Sequence, residues 1–279
     1  MKVELIDYTQ DALEKLLFTK QTRLSMNGGL LDEIKKWPEE KKKKELAYIR
    51  GTIQSSFEFV NYTFSIQGVS RAFTHQLVRT RHGSYAQQSM RTVNMSGFDY
   101  VTPDSISDET INDDGCLISQ GAVYSGAMER INNDYQEMIR LGANPQDARG
   151  ILPTNIATNI VAAFNLRTLS DMAKLRLCTR TQGEYSNVFR EMRKKIIEIH
   201  PWAADFILVH CAATGVCCFP NYKECPIKPP IFNPDTGERW DLNVTKTPAT
   251  RAQIQAVWEN TKFEAVPKQM EEMKGEANV

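Results

Sequence analysis

The sequence lacks the features that mark several common functional classes. Its 34 Lys and Arg residues balance 34 Asp and Glu residues, and a zero net charge argues against strong, chain-wide attraction to nucleic acid or to an anionic membrane. No apolar run approaches the roughly 20 residues that a membrane-spanning helix needs. The charged start of the chain also lacks the apolar segment of a signal peptide. We therefore expect a cytoplasmic protein with no nucleic-acid or membrane partner.

Motifs for bound phosphate and metal are scarce as well. The chain contains no G-x-G-x-x-G sequence and no Walker loop. It has six cysteines, four of them between Cys211 and Cys225, and a cytosolic location disfavours disulfides. Their spacing does not fit the C-x-x-C pairs of common zinc sites. We predict no metal site. The alternative is a zinc-stabilised interaction module built on the C-terminal cysteines and their neighbouring histidine: His210, Cys211, Cys217, Cys218 and Cys225.

The length and composition fit an ordinary globular protein. A chain of 279 residues with 41% hydrophobic and 24% charged residues can form one large domain or two small ones. No internal repeat and no linker divides it. We predict a single α+β domain over residues 1–279, with a central, mostly antiparallel sheet flanked by helices. Residues 226–279 form an irregular C-terminal extension in this prediction, with a helix at Ala252–Phe263.

Hydrophobic periodicity predicts the individual elements. Strands are expected at Lys2–Ile6 and Phe57–Ile66, and Asn155–Phe164 is expected to be a buried strand or an inserted helical turn. Helices are expected at Asp11–Thr22, after Pro38, and at Ser70–Arg79 with Ser70 as N-cap, followed by Cys116–Leu141, Pro145–Arg149, Leu166–Leu177, Tyr185–Ile199 and Trp202–His210. Tyr85–Val93 is expected to be extended or irregular, and Pro103–Asp114 an acidic turn.

One polar segment stands apart from the rest of the chain. Arg79–Arg91 (RTRHGSYAQQSMR) has no large aliphatic side chain except that of Met90 and follows an amphipathic helix directly. Its arginines are suited to bidentate binding of phosphate, and Gln87 and Gln88 can read an amide edge such as that of uracil. The segment therefore predicts a phosphorylated heterocycle as ligand. The alternative is a surface loop whose arginines pair with the acidic region Asp104–Asp114.

Two sequence blocks resemble the flavin-dependent thymidylate synthase family. Arg79-Thr80-Arg81, seven residues and then Ser89 is similar to the family signature Arg-His-Arg-x7-Ser. Thr63–Arg81 resembles the strand and helix that lead into this signature. The second block, Ala148–Glu184, resembles the downstream half of the family, and the two blocks keep the family's order and spacing. Together with their flanks they cover roughly Ser55–Pro201.

The resemblance implies a role for each matching residue. The FAD site would comprise nine residues: Ser55, Arg79, Thr80, Arg81, His82, Gln87, Asn165, Arg167 and Asp171. The dUMP site would likewise comprise nine: Gln76, Arg79, Gln87, Gln88, Ser89, Met90, Arg91, Arg149 and Arg176. Among these, Arg176 matches the catalytic arginine that polarises the pyrimidine at N3. A guanidinium at that place stabilises negative charge that develops on the ring.

The resemblance also implies the reaction and its cofactors. Family members methylate dUMP to dTMP with methylenetetrahydrofolate as one-carbon donor, FAD in a non-Rossmann site and NADPH as reductant, and they form homotetramers with shared active sites. The sequence departs from the family pattern at Thr80, Thr92 and Arg180, where members commonly have histidine, tyrosine and histidine. Two alternatives therefore stay open: methylation or hydroxymethylation of a related nucleotide such as dCMP, and a non-catalytic nucleotide-binding relative.

Overall fold

The computed structural model describes residues 1–22, 28–113 and 116–214. The strands are β1 Lys2–Tyr8, β2 Asn61–Ser70, β3 Ser84–Gln87, β4 Thr110–Asp113, β5 Cys116–Ser119 and β6 Ala157–Asn165. The helices are α1 Ala12–Gln21, α2 Leu30–Lys35, α3 Glu39–Arg50, α4 Arg71–Leu77, α5 Gln120–Arg140, α6 Pro145–Ala148, α7 Leu166–Arg176, α8 Gly183–Ile199 and α9 His210–Thr214. Short 3-10 helices occur at Gln54–Phe59, Arg149–Ile151 and Pro201–Asp205.

A four-stranded antiparallel sheet organises the domain, with strand order β1-β2-β6-β3. Side chains alternate across β2 and β6, so that Tyr62, Phe64 and Ile66 point to one face, opposite Phe164, Ala162 and Ile160 in the register of the pair. These six side chains are at most 2% exposed. The alternation follows from the two-residue period of a strand, and it places one face of the sheet in the hydrophobic core.

Helices α7 and α8 cover that face. The buried residues of α8 recur at helical spacing, with Tyr185, Val188, Phe189, Met192 and Ile196 facing the sheet, as expected for an amphipathic helix. The opposite face of the sheet has no helix on it among the described residues. Its side chains, among them Ser65 and Val161, are half-buried or exposed. This one-sided α+β architecture with an antiparallel sheet confirms the predicted fold class.

Several predicted elements need correction. The long helix begins at Gln120 and not at Cys116, because the Ser119 hydroxyl caps α5 by accepting a hydrogen bond from the Ala122 amide. The four preceding residues form β5. The strand predicted from Phe57 begins only at Asn61, after a 3-10 helix. The helix predicted at Trp202–His210 is also wrong: Pro201–Asp205 is a 3-10 helix, and α9 starts at His210.

The remaining elements were predicted at nearly their observed bounds, apart from α2 and the β4–β5 hairpin, which were missed. The predicted extension at 226–279, its helix at Ala252–Phe263, and Cys217, Cys218 and Cys225 lie outside the described residues. In the described part of the chain, no helix combines the length and the apolar character that crossing a membrane requires.

Candidate active site

The signature arginines lie on a tight turn that connects α4 to β3. The Thr80 carbonyl accepts two hydrogen bonds, from the Gly83 amide at 3.1 Å and from the Tyr85 hydroxyl at 2.6 Å. A Cβ atom at Gly83 would lie 2.5 Å from the Phe164 ring and 2.6 Å from the Tyr85 hydroxyl oxygen. Only glycine therefore fits this turn without displacing the rings beneath it. The turn projects Arg79, Arg81 and His82 toward solvent.

A cavity of about 560 Å³ opens beside this turn. Its lining comes from the turn, from the end of β6 and start of α7, and from one residue of the 3-10 helix before β2: Arg79, Thr80, Arg81, His82, Asn165, Arg167, Thr168, Asp171, Met172 and Glu58. Every residue predicted for the flavin site lines this cavity except Ser55 and Gln87. The structure thus brings together predicted flavin residues that lie up to 92 positions apart in the sequence (Arg79 to Asp171).

Positive charge exceeds negative charge at the cavity. Three guanidinium groups line it, against the carboxylates of Glu58 and Asp171. Arg167 lies 3.5 Å from Glu58, and Asp171 is paired with Lys174 at 2.6 Å. Within the described ranges, no ion pair joins Arg79 or Arg81 to a carboxylate, contrary to the alternative of a surface loop paired with the acidic region. The guanidinium groups of the turn therefore stay available for an anion.

The N-terminus of α7 adds to this positive potential. Asn165 is its N-cap, and the Asn165 Oδ1 atom accepts a hydrogen bond from the Thr168 amide at 2.8 Å. The amide groups and the dipole of a helix N-terminus favour negatively charged ligands. Because Oδ1 serves the cap, the Asn165 side chain has its NH₂ group left to donate to a ligand.

Two predicted flavin residues lie elsewhere. Ser55 is on the 3-10 helix that contributes Glu58, but it does not line the cavity. Gln87 is on β3, and its Nε2 atom donates to the Thr74 hydroxyl at 2.8 Å inside the domain. The prediction that these two residues contact FAD stays a prediction.

The residues predicted for dUMP lie at several different places among the described residues. Strand alternation separates neighbours, so Gln87 points toward the helices while Gln88 lines a second cavity of about 350 Å³ on the open face of the sheet. Met90 is buried, at 8% exposure, and Arg91 is exposed. The Ser89 hydroxyl accepts a hydrogen bond from the Arg91 amide at 3.2 Å.

A cationic pair adjoins this segment. Burial, and then the neighbouring Arg149 guanidinium, lower the pKa of Arg71. Arg71 also donates from Nη1 to the Gln88 carbonyl at 3.3 Å. In the described residues, neither arginine forms an ion pair with a carboxylate. Arg149 was predicted for the dUMP site, and Arg71 was missed. The position of Arg71 at the start of α4, eight residues before the signature, could have indicated that it belongs to the site.

Arg176, predicted as catalytic, is the last residue of α7 and is half-buried. Its guanidinium carbon lies 4.1 Å from the centroid of the Tyr185 ring. This distance is within the range of a cation–π interaction. The ion pairs considered for an exposed arginine at this position, with Asp171 or Glu184, are not formed: Asp171 is paired with Lys174, and Glu184 accepts from Ser70.

Glu184 links the start of α8 to the start of α4. Its carboxylate accepts hydrogen bonds from the Ser70 amide at 2.7 Å and the Ser70 hydroxyl at 2.5 Å, while the same hydroxyl accepts from the Phe73 amide at 2.9 Å. This arrangement confirms Ser70 as the N-cap of α4. It also ties the start of α8 to the helix that carries Gln76, whose Nε2 atom donates to Gln182 Oε1 at 2.5 Å.

The described residues contain no cluster of three or more His, Cys, Asp or Glu side chains that could hold a metal ion. Cys211 is buried at the second position of α9, and Cys178 is half-buried just beyond the end of α7. The other cysteines of the zinc alternative lie outside the described ranges. That alternative is therefore neither supported nor tested by the fold.

Comparison with known proteins matches the chain to one family. The family profile described as thymidylate synthase complementing protein matches residues 4–202. A flavin-dependent thymidylate synthase of Pyrococcus abyssi is 32% identical over 247 residues, which cover 86% of this chain and 96% of that protein. The chain belongs to the flavin-dependent thymidylate synthase family. The synthase of Pyrococcus furiosus is 33% identical over 249 residues (86% and 97% of the two chains), and that of Clostridium tetani is 33% identical over 211 residues (72% and 84%).

Family membership confirms the resemblance drawn from the two sequence blocks. It makes the chain a member of an enzyme family of transferases whose named relatives are flavin-dependent. The matched residues 4–202 include β1 from Glu4 onward, the other three strands of the sheet, the signature turn and helices α1 to α8. The cavity beside the signature turn is therefore formed entirely within the part of the chain that is similar to these enzymes.

Proposed function

We propose that this enzyme methylates dUMP to dTMP, with methylenetetrahydrofolate as the one-carbon donor, FAD as the bound flavin and NADPH as the reductant. The observation that carries the proposal is the convergence of Arg79, Thr80, Arg81, His82 and the start of α7 on one cavity. The matched family profile spans that same region.

The cavity beside the signature turn fits the polar part of FAD. Three guanidinium groups and the N-terminus of α7 suit a pyrophosphate. The carboxylates of Glu58 and Asp171 are acceptors of the kind that ribose hydroxyls need, and buried Met172 adds an apolar wall. No glycine-rich phosphate loop is required, since the arginines supply the charge.

The cationic pair Arg71 and Arg149 is the natural place for the phosphate of dUMP. Two guanidinium groups close enough for one to lower the pKa of the other repel each other, and a dianionic phosphate relieves that repulsion. The pair adjoins Gln88 through the hydrogen bond from Arg71 to the Gln88 carbonyl. This arrangement links the phosphate to the segment that would read the base.

Arg176 is the residue that we assign to charge stabilisation. Attack from C5 of the pyrimidine places negative charge on the ring, and a guanidinium directed at N3 stabilises that charge in the transition state more than in the ground state. Arginine remains protonated at any working pH, so the charge is always present. The half-burial of Arg176 strengthens the interaction by excluding water from one side.

The overall reaction balances without an acid–base dyad on the protein. The one-carbon unit replaces the proton at C5 of dUMP, and NADPH is the source of the hydride that completes the methyl group. The displaced C5 proton and one proton from solvent complete the two nitrogen atoms of tetrahydrofolate, which is released with NADP⁺ and dTMP. Bound flavin would supply the hydride-transfer chemistry. The chain itself supplies positioning, charge and exclusion of water.

We further propose that the enzyme is a homotetramer with active sites shared between subunits. The predicted dUMP residues are divided between the two faces of the sheet, with Gln87 on the helical face and Gln88 on the open face. A second subunit on the open face would bring residues of its own beside Gln88, so that two chains together would complete one site. Folate would be the other small-molecule partner in that assembly.

The proposal is tested with purified full-length protein. Absorbance spectra after addition of FAD show whether flavin binds, and an assay with dUMP, methylenetetrahydrofolate and NADPH measures dTMP. We expect Arg176→Lys to retain flavin while it lowers kcat on the order of 10²-fold, the range found when one preorganised donor is removed. Turnover of dCMP with no dTMP from dUMP would contradict the proposed substrate. Nucleotide binding with neither flavin nor turnover would show a non-catalytic relative.

A further inference from the structure

Tyr185 occupies a position that the proposed chemistry does not explain. It lies in the first turn of α8, and its side chain is 0% exposed. Burial raises the pKa of Tyr185, while Arg176 and Thr80 oppose that shift. The ring thus adjoins the arginine assigned to charge stabilisation.

The Tyr185 ring is held by neighbours with two different geometries. The Arg176 guanidinium carbon lies 4.1 Å from the ring centroid. The Phe73 ring meets it edge to face at a centroid distance of 5.0 Å and an interplanar angle of 86°. Phe73 is itself 0% exposed and belongs to α4. Because the ring is fixed by the core, it presents a rigid surface to the guanidinium.

A rigid surface matters for a side chain like that of Arg176. Arginine has many rotamers, and ordering one at the end of a helix costs conformational entropy. A guanidinium that stacks on an aromatic ring loses much of that freedom before any ligand arrives. Catalytic groups gain most when they are already oriented toward the place where charge develops.

The contact with Arg176 argues against a purely space-filling role for Tyr185. An aromatic ring attracts a cation through its face, and leucine cannot. The aromatic face is therefore the property of Tyr185 that the arrangement uses.

We propose that Tyr185 is a positioning residue whose ring holds the Arg176 guanidinium in the orientation that acts on the pyrimidine. This inference deepens the proposed function and rests on it for the meaning of Arg176. Tyr185 does not line the cavity assigned to FAD, so its effect should be confined to the pyrimidine step.

Kinetics separate positioning from simple structural support. We expect Tyr185→Leu to lower kcat for dTMP formation at least about tenfold, because charge stabilisation in the transition state is lost, with the KM for dUMP changed less than about threefold. The conservative variant Tyr185→Phe keeps the ring and should restore most of kcat. Flavin binding should be the same in both variants.

Phe189→Leu is the matched control. Phe189 lies one turn further along α8, is 1% exposed and packs in the same core. It should lower Tm as Tyr185→Leu does and leave kcat unchanged. Equal effects of Tyr185→Leu and Phe189→Leu on kcat would overturn the positioning role.

A second measurement does not depend on catalysis. Phenylglyoxal modifies accessible arginines, and mass spectrometry of peptides reports the rate at Arg176. The rate should rise severalfold in Tyr185→Leu and stay at the wild-type value in Tyr185→Phe and Phe189→Leu. An unchanged rate in Tyr185→Leu would overturn the inference. A raised rate, in a protein whose wild type forms no dTMP, would support the part of the inference in which the Tyr185 ring holds Arg176, and it would refute the proposed function.

Discussion

The hydrogen bonds of Glu184 give the sharpest stability prediction. The Ser70 amide and hydroxyl both donate to its carboxylate, and the hydroxyl also accepts from the Phe73 amide at the start of α4. In Glu184→Gln, the amide oxygen can still accept from the Ser70 amide. The new NH₂ group then faces the Ser70 hydroxyl, which has to turn its proton away and become an acceptor only.

The magnitude follows from the bonds that change. A hydrogen bond to a charged group contributes about 1.5–3 kcal/mol, and Glu184→Gln loses one such bond and the charge assistance of the other. Ser70 is only 1% exposed, but Glu184 is half-buried, so water compensates part of the loss. We expect the free energy of unfolding to fall by about 2 kcal/mol in Glu184→Gln and by about 3 kcal/mol in Glu184→Ala.

Urea unfolding at pH 7, followed by circular dichroism, measures both variants. Glu137→Gln is the control, because Glu137 pairs with Arg140 on the exposed surface of α5 and surface pairs contribute little. A Glu184→Gln protein whose unfolding free energy lies within about 0.5 kcal/mol of the wild type would refute the reasoning. It would mean that the carboxylate bonds to Ser70 add nothing beyond what water offers.

Three further predictions test other parts of the site. Asn165→Ala should lower the unfolding free energy by about 1 kcal/mol through loss of the α7 cap, and it should also weaken FAD binding in a fluorescence titration. The control Ser119→Ala, which removes the α5 cap, should affect stability alone. Equal FAD affinity in the two variants would contradict the role of Asn165. Burial lowers the pKa of His200 from its ordinary 6.5, and the His200 Nδ1 atom lies 2.9 Å from the Tyr62 hydroxyl. The unfolded chain therefore binds a proton at His200 more readily than the folded chain does. The contribution of His200 to stability should be full above pH 6.5 and should fall as the pH drops through that value. Urea midpoints at pH 7.5 and 5.5 should differ less in His200→Gln, and an unchanged difference would show that other groups are responsible. Gly83→Ala should lower the unfolding free energy by about 1–3 kcal/mol, the usual cost of overpacking, as measured by thermal unfolding; a wild-type Tm would show that the rings beneath the turn can move.

Much of the fold could be predicted from local pattern. The strand β6, the cap at Ser70, the helix start next to Pro38, and helices α7 and α8 follow from periodicity and from capping and proline chemistry that act over a few residues. The errors occurred where the outcome depends on contacts outside the segment whose pattern was considered. Helix propensity alone does not show that Cys116–Ser119 pairs with Thr110–Asp113 before α5 begins.

The sequence also indicated the chemistry of the site. The polar run Arg79–Arg91 and the downstream block to Glu184 carry the family pattern, and most of the predicted flavin residues line one cavity. Their type and order are properties of the chain. That most of them converge follows from the antiparallel pairing of β2, β6 and β3, which brings the signature turn beside the start of α7.

Only the tertiary structure decided how the key side chains are oriented. Strand alternation sends Gln87 and Gln88 to opposite faces, and the packing of α8 against α4 and α7 places the Tyr185 ring beneath Arg176. These relations depend on which surfaces meet across the core. The sequence by itself determined which residues can bind phosphate and stabilise charge; the packed fold determined which of them act together, because distance and burial, unlike residue type, are set by contacts between remote segments.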